Sequence, residues 1–208
     1  MLAETLNNLL SGFTAFIALV NPVQKIFVIH SLQKQFDEKT TRFISIKSTI
    51  TALVILVTFL AAGHVIFNYV FHIELYAFQI TCGIVLFYNG LTGLQKGVFF
   101  RLDKNVSIKD LTAVPIAVPM IAGPATITAA VTFPPDYGPA LTVAAIVLAL
   151  AVNLVFMLFA RRIGDLLIRF NLMNPLIRIF GLIVATIGVQ LVLNGIGGFI
   201  ADIRGMTG

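Results

Sequence analysis

The sequence predicts an all-α integral membrane protein: six transmembrane helices arranged as two inverted three-helix repeats, with the first and fourth helices broken midway. Three observations carry this. Hydrophobic residues make up 58% of the 208 and charged residues 11%, with a mean hydropathy of +0.98, more apolar surface than a soluble chain of this size buries. Lys and Arg gather in alternate connections between apolar stretches. Two of those stretches are interrupted by a proline at matching places, Asn21-Pro22 and Gly123-Pro124.

Six stretches are long enough to cross the hydrocarbon layer, which takes about 20 helical residues. They run from about Leu9 to Leu32, Ser48 to Val70, Leu75 to Leu94, Leu111 to Phe133, Ala140 to Ala160 and Ile179 to Ala201. Lipid offers the backbone no hydrogen-bond partners, so these are expected to be helices, and the alternation of a membrane β-barrel is absent from the sequence. Met1 to Leu10 contains Glu4 and no Lys or Arg, unlike the basic start of a cleaved signal, so the first span is expected to be retained. The whole chain, 1–208, reads as one transmembrane domain.

Orientation follows from the basic residues. Lys34, Lys39, Arg42 and Lys47 lie between spans one and two, Lys96, Arg101, Lys104 and Lys109 between three and four, and Arg161, Arg162, Arg169 and Arg178 between five and six. The positive-inside rule places these connections in the cytoplasm and both termini outside a cell (inner) membrane. Lipid headgroups, rather than nucleic acid, are the expected counterions for the net charge of +5.

The halves repeat. Gly83, Gly90 and Gly97 in span three and Gly181, Gly188 and Gly195 in span six share a spacing of seven and differ by a constant 98, and Pro22 and Pro124 differ by 102. Glycines seven apart share a helical stripe and permit close approach of a neighbouring helix. The repeats are then about 1–105 and 106–208, joined by the charged stretch Arg101 to Asp110. Three spans per half is an odd number, so the second half enters the membrane in the opposite sense to the first.

Asn21-Pro22 reads as an N-cap followed by a proline at the first helical position, where a missing N–H costs nothing. Gly123-Pro124 repeats the signal, with Thr126 and Thr128 supplying hydroxyls one turn on. Two helix restarts meeting near the midplane would converge free amides and positive dipole ends, favouring a carboxylate or another anion. Carbonyls ending the preceding half-helices, near Val20 and Ala122, would accept from an ammonium or a cation, and Pro115 and Pro119 free further carbonyls. Lys25 lies about 13 Å of helix from the next basic residue, Lys34, too far for easy snorkelling. It is expected either to help hold an anionic substrate group or to take the place of a coupling cation among the freed carbonyls; a Lys beside carbonyls near the cytoplasmic mouth is the structural alternative.

The remaining chemistry is sparse. Cys82 lies in an apolar run and reads as a packed thiol. Asn89, Asn153, Gln190 and Asn194 read as interhelical hydrogen-bonders, and His64 and Asn68 as interfacial residues. There is no His-Glu-x-x-His, no Gly-x-Ser-x-Gly and no Asp or Glu within a span core, so an enzyme is not expected. No cofactor or metal is expected either. The candidate substrate-binding set is Asn21, Pro22, Gln24, Lys25, Gly123, Pro124, Thr126 and Thr128. Expected partners are a small-molecule substrate and membrane lipids, and a homo-oligomer is compatible with the sequence.

Three stretches carry a resemblance to a known family: Asn21-Pro22-Val23; the run from Val114 to Pro124 with prolines at 115, 119 and 124; and Arg178-Ile179-Phe180-Gly181 leading to Gly188 through Gly195. In this combination the chain resembles the MarC family of bacterial and archaeal inner-membrane proteins, relatives of the LysE-like exporters. The resemblance implies six helices in inverted repeats. It also implies either a carrier of small neutral amino acids such as alanine and glycine, or a membrane protein associated with antibiotic resistance without transport. A passive anion channel is a further alternative, read from the same dipoles. The chain departs from the family pattern at Gln24 and Phe27, where members usually carry Gly and Pro, and at Gln79, where an Arg is common.

Overall fold

The computed structural model describes residues 2–33, 35–97, 117 and 120–206. Among these, every regular element is helical. The first apolar stretch is two helices, α1 (Leu2–Val20) and α2 (Pro22–Leu32), separated at Asn21. α3 (Glu38–Val65) ends in a π-helical turn, Ile66–Phe71, and α4 spans Leu75–Lys96. After Gly123 come α5 (Pro124–Thr132), the short α6 (Pro134–Tyr137), α7 (Pro139–Leu158), α8 (Ala160–Arg169) and the long α9 (Met173–Met206).

Proline punctuates these starts: α2, α5, α6 and α7 each begin on one, where its fixed φ suits the helix and its lost donor is not needed. Gly97, at φ 64°, ends α4 in the left-handed conformation that a Cβ would disfavour.

Among the described residues five segments are long and apolar enough to cross a membrane: Ala3–Leu32, Glu38–Gly63, Leu75–Lys96, Pro139–Leu158 and Met173–Arg204. Of the expected fourth span, α5 is described, whereas Pro115, Pro119 and the linker from Arg101 to Asp110 lie outside the described residues. The basic residues Arg161, Arg162 and Arg169 were assigned to a loop and instead lie on α8. That helix carries Arg161, Arg162 and Asp165 among its exposed residues and packs Ala160 and Gly164 inward, the two-faced character of an element lying along an interface.

The half-helices after the breaks are the buried centre. In α5 all seven residues from Ala125 to Val131 are buried, and in α2 so are Pro22, the run Lys25–His30 and Leu32. A helix covered on all sides belongs inside a bundle. α2 packs on α7, α8 and α9, while α5 packs on α3, α4 and α1. Phe16, Val20, Ile29, Ile44, Leu56, Ile121 and Ile146 fill the space between them. α4 and α9 form a wall along one side, turning Ile84, Phe87, Leu182, Val189 and Leu193 outward, as side chains facing lipid would be.

That wall is held by the two glycine rows except at Gly97, where an added Cβ would meet nothing within 4 Å. Gly83 lies against Gly188 and Val192, Gly90 against Gly181 and Ala185, and Gly195 against Tyr76 and Ile80. Low numbers on α4 meet high numbers on α9, so the pair is antiparallel.

Candidate functional site

The first break begins at Asn21, whose amide still donates to Ile17 O at 3.0 Å but whose φ of 50° and ψ of 74° turn the chain left-handed. Asn is one of the few non-glycine residues that adopts this conformation readily. Its side-chain Oδ1 accepts from Gln24 N at 3.3 Å, capping α2 as the sequence predicts. That cap has a consequence for Val20, because Gln24 N is the donor that an unbroken helix would supply to the Val20 carbonyl.

The second break orphans a carbonyl by a different route. The donor four residues beyond Met120 is Pro124, which has no N–H. Ala122 N reaches back five residues to Ala117 O at 2.8 Å, and α5 begins its own pattern with Ile127 N donating to Gly123 O at 2.9 Å. Gly123 has no side chain to cap α5. The Thr126 hydroxyl closes the turn instead, lying 2.8 Å from both Ile121 O and Gly123 O.

Lys25 joins the two breaks. Its Nζ donates to Val20 O and to Met120 O, each at 2.5 Å, and sits 3.5 Å from Gln24 Oε1. The side chain is 1% exposed. Among the described residues no carboxylate is in salt-bridge contact with Lys25. Its charge is met by carbonyl oxygens, including one at the C-terminal, negative end of α1.

Beside this stitch lies a cleft of about 190 Å³, bounded by both breaks and by the α4–α9 wall. Gln24, Gly123, Pro124 and Thr126 line it, with Asn89 and Ile187 opposite. By helix geometry the Ala125 and Thr126 amides have no acceptor within α5, so the cleft meets a helix N-terminus. A second groove, about 230 Å³, continues along α5 and shares Leu19, Ala125 and Ile187 with the first. It is lined by Gln79, Thr128, Thr132, Gln190 and Asn194. Thr128 Oγ1 is buried there without a hydrogen-bond partner.

The eight residues named from the sequence therefore divide. Asn21 and Pro22 build the first break and are buried, Gln24, Gly123, Pro124 and Thr126 share the cleft, Lys25 is sealed between the breaks, and Thr128 faces the second groove. Asn89 was read as a helix-packing residue and lies on the cleft. Asn153 and Gln190 were read as bonding between helices. The bonds found run along their own helices, to Met157 Sδ at 3.3 Å and Asn194 Oδ1 at 2.8 Å.

The chain as a whole has relatives among known sequences. The family model described as MarC family integral membrane protein matches residues 6–200. A UPF0056 membrane protein of Pyrococcus horikoshii is 31% identical over 95% of this chain and 98% of its own length. Another from Methanocaldococcus jannaschii is 32% identical over 90% and 95%, and the UPF0056 membrane protein YvbG of Bacillus subtilis is 28% identical over 89% and 92%. No solved structure matches. With nearly the whole length matched both by the family model and by relatives of the same size, this chain belongs to the MarC family of integral membrane proteins.

Proposed function

We propose that the protein is a secondary carrier that moves a small neutral amino acid, or a related metabolite bearing a carboxylate, across the inner membrane by alternating access. The observation that carries this reading is the cleft at which the two helix breaks meet, with Gln24 on one side and Gly123, Pro124 and Thr126 on the other. The substrate carboxylate binds the free amides at the start of α5, where the dipole is positive, and Gln24 and Asn89 add hydrogen bonds. The volume suits a small solute, and the apolar lining of Leu19, Val85 and Ile187 suits an uncharged side chain.

Alternating access calls for the full six-helix inverted repeat, with both termini outside. Two features support it: α2 and α5 exchange equivalent neighbours, and the glycine rows interlock antiparallel. Inverted repeats commonly place a site where their broken helices meet. Impermeant labelling of terminal tags from outside tests the orientation.

Counterflow in proteoliposomes tests the function. Uptake of labelled alanine or glycine is expected to saturate and to accelerate when unlabelled substrate is loaded inside. Anion conductance without saturation would replace the carrier by a passive channel, and the absence of both fluxes across a panel of small carboxylates would leave a non-transporting membrane protein.

A further inference from the structure

We propose that Lys25 is a tethered counter-ion, occupying by covalent attachment a position that would otherwise bind a free monovalent cation. This deepens the carrier reading by naming how its site is charged, but its test requires no transport.

Two carbonyls lose their helical donors for independent reasons written in the sequence. Val20 O loses Gln24 N to the Asn21 cap, and Met120 O loses its donor because Pro124 has none. Carbonyl oxygens freed in this way at helix breaks coordinate cations in membrane carriers. Here both are filled by one ammonium, Lys25 Nζ at 2.5 Å from each, with Gln24 Oε1 at 3.5 Å as a third oxygen. Lys25 and Met120 are 95 residues apart in the chain, so the charge fastens one half of the molecule to the other. An ammonium has only donors and these partners have only acceptors. Among the described residues no carboxylate pairs with it, so the oxygen set is that of a cation site.

Two consequences follow. The wild-type protein needs no sodium ion at this position, because the position is full. Shortening Lys25 to alanine removes a propylammonium fragment and leaves a hole facing two carbonyl oxygens and an amide oxygen, which a small cation can enter. Gln24 both lines the cleft and lies beside Nζ, so one amide side chain separates the sealed ammonium from the cleft.

The experiment measures the melting of purified full-length protein in sodium, choline and n-propylammonium chlorides at equal ionic strength. Wild type is expected to melt at one temperature in all three salts. Lys25→Ala is expected to melt several degrees lower in choline and to regain stability, saturably, in propylammonium or sodium, since a ligand that binds only the folded state stabilises by mass action. Lys25→Met fills the hole without charge and is expected to stay low in every salt. Sodium stabilisation of wild type over choline overturns the proposal, as does a folded Lys25→Ala that no cation restores. If Lys25→Ala yields no folded protein, Lys25→Met decides: melting at the wild-type temperature overturns the proposal, and a lowered, salt-independent temperature supports it. Failure of counterflow with the melting pattern intact would sink the carrier reading and leave the tethered cation standing.

Discussion

Gly83 and Gly188 press backbone against backbone: a Cβ on Gly83 would stand 2.5 Å from the Gly188 carbonyl oxygen, and one on Gly188 would stand 2.6 Å from the Gly83 carbonyl oxygen. Shifting each residue by the repeat distance of 98 turns this pair into Gly181 and Gly90, where the corresponding distances are 2.8 Å and 2.6 Å. Two contacts that interchange when the halves are exchanged are consistent with a two-fold relation between them. They also predict where substitution is costly. Gly90→Ala puts a methyl against the backbone of α9, which no rotamer change can relieve, and should cost about 1–3 kcal/mol. Gly197, with nothing within 4 Å of an added Cβ, is the control: its alanine variant should be neutral or gain up to about 1 kcal/mol from helix propensity. Melting in detergent reads both, and a Gly90→Ala protein as stable as wild type would refute the interlock.

Thr126 is tied into the second break rather than left for a ligand. Its hydroxyl lies 2.8 Å from two carbonyl oxygens at that break. Thr126→Val keeps the shape and removes the donor that reaches Ile121 O, while Gly123 O keeps its bond from Ile127 N, at a cost of about 1–3 kcal/mol, whereas Thr126→Ser keeps the donor and most of the stability. Melting is the measurement; equal losses in both variants would mean that the methyl, not the hydroxyl, holds the turn.

Much of this site is legible in the sequence because helix breaks have local causes. Asn21-Pro22 and Gly123-Pro124 are read from capping and proline chemistry alone, and both restart helices where expected. Lys25 stands out because an ammonium far from the interface needs oxygens, and the breaks supply them. Asn89 was not legible as a cleft residue: which face of α4 meets the breaks depends on the rotation of the α4–α9 pair, a tertiary property. α8 was missed because its arginines dominate a count of charges, although Ala160 and Gly164, four apart between them, mark a face that packs. Likewise, nothing local says that Thr126 bends back to its own turn while Thr128, two residues on, faces the second groove.

Gly164 makes room for His30. A Cβ there would lie 2.5 Å from His30 Cγ, and His30 Nε2 lies 3.1 Å from Asp165 Oδ1, joining the end of α2 to α8. Asp165 is 65% exposed, so its contact with the imidazole is expected to contribute little, about 0–1 kcal/mol. The close packing matters more. Gly164→Ala should lift α8 from α2 and expose its backbone, so trypsin should cut faster at Arg161, Arg162 and Arg169 than in wild type, while Asp165→Asn changes the rate little. Local opening of this kind is read by cleavage under native conditions; an unchanged digestion rate in Gly164→Ala would show that the ring simply moves aside.

Thr128 reverses the expectation for Thr126. Its Oγ1 is buried, lacks a partner and borders the second groove beside Gln79, Gln190 and Asn194. A hydroxyl that makes no bond in the folded protein contributes nothing by being there, so Thr128→Val should melt at or slightly above the wild-type temperature, a change within about 1 kcal/mol. The two grooves share Leu19, Ala125 and Ile187, and under the carrier reading a solute that enters through the second groove passes Thr128 before it reaches the breaks. The valine variant should then slow counterflow severalfold while stability holds. The opposite pattern, lost stability with flux unchanged, would mean that the hydroxyl serves the fold and that the path to the cleft runs elsewhere.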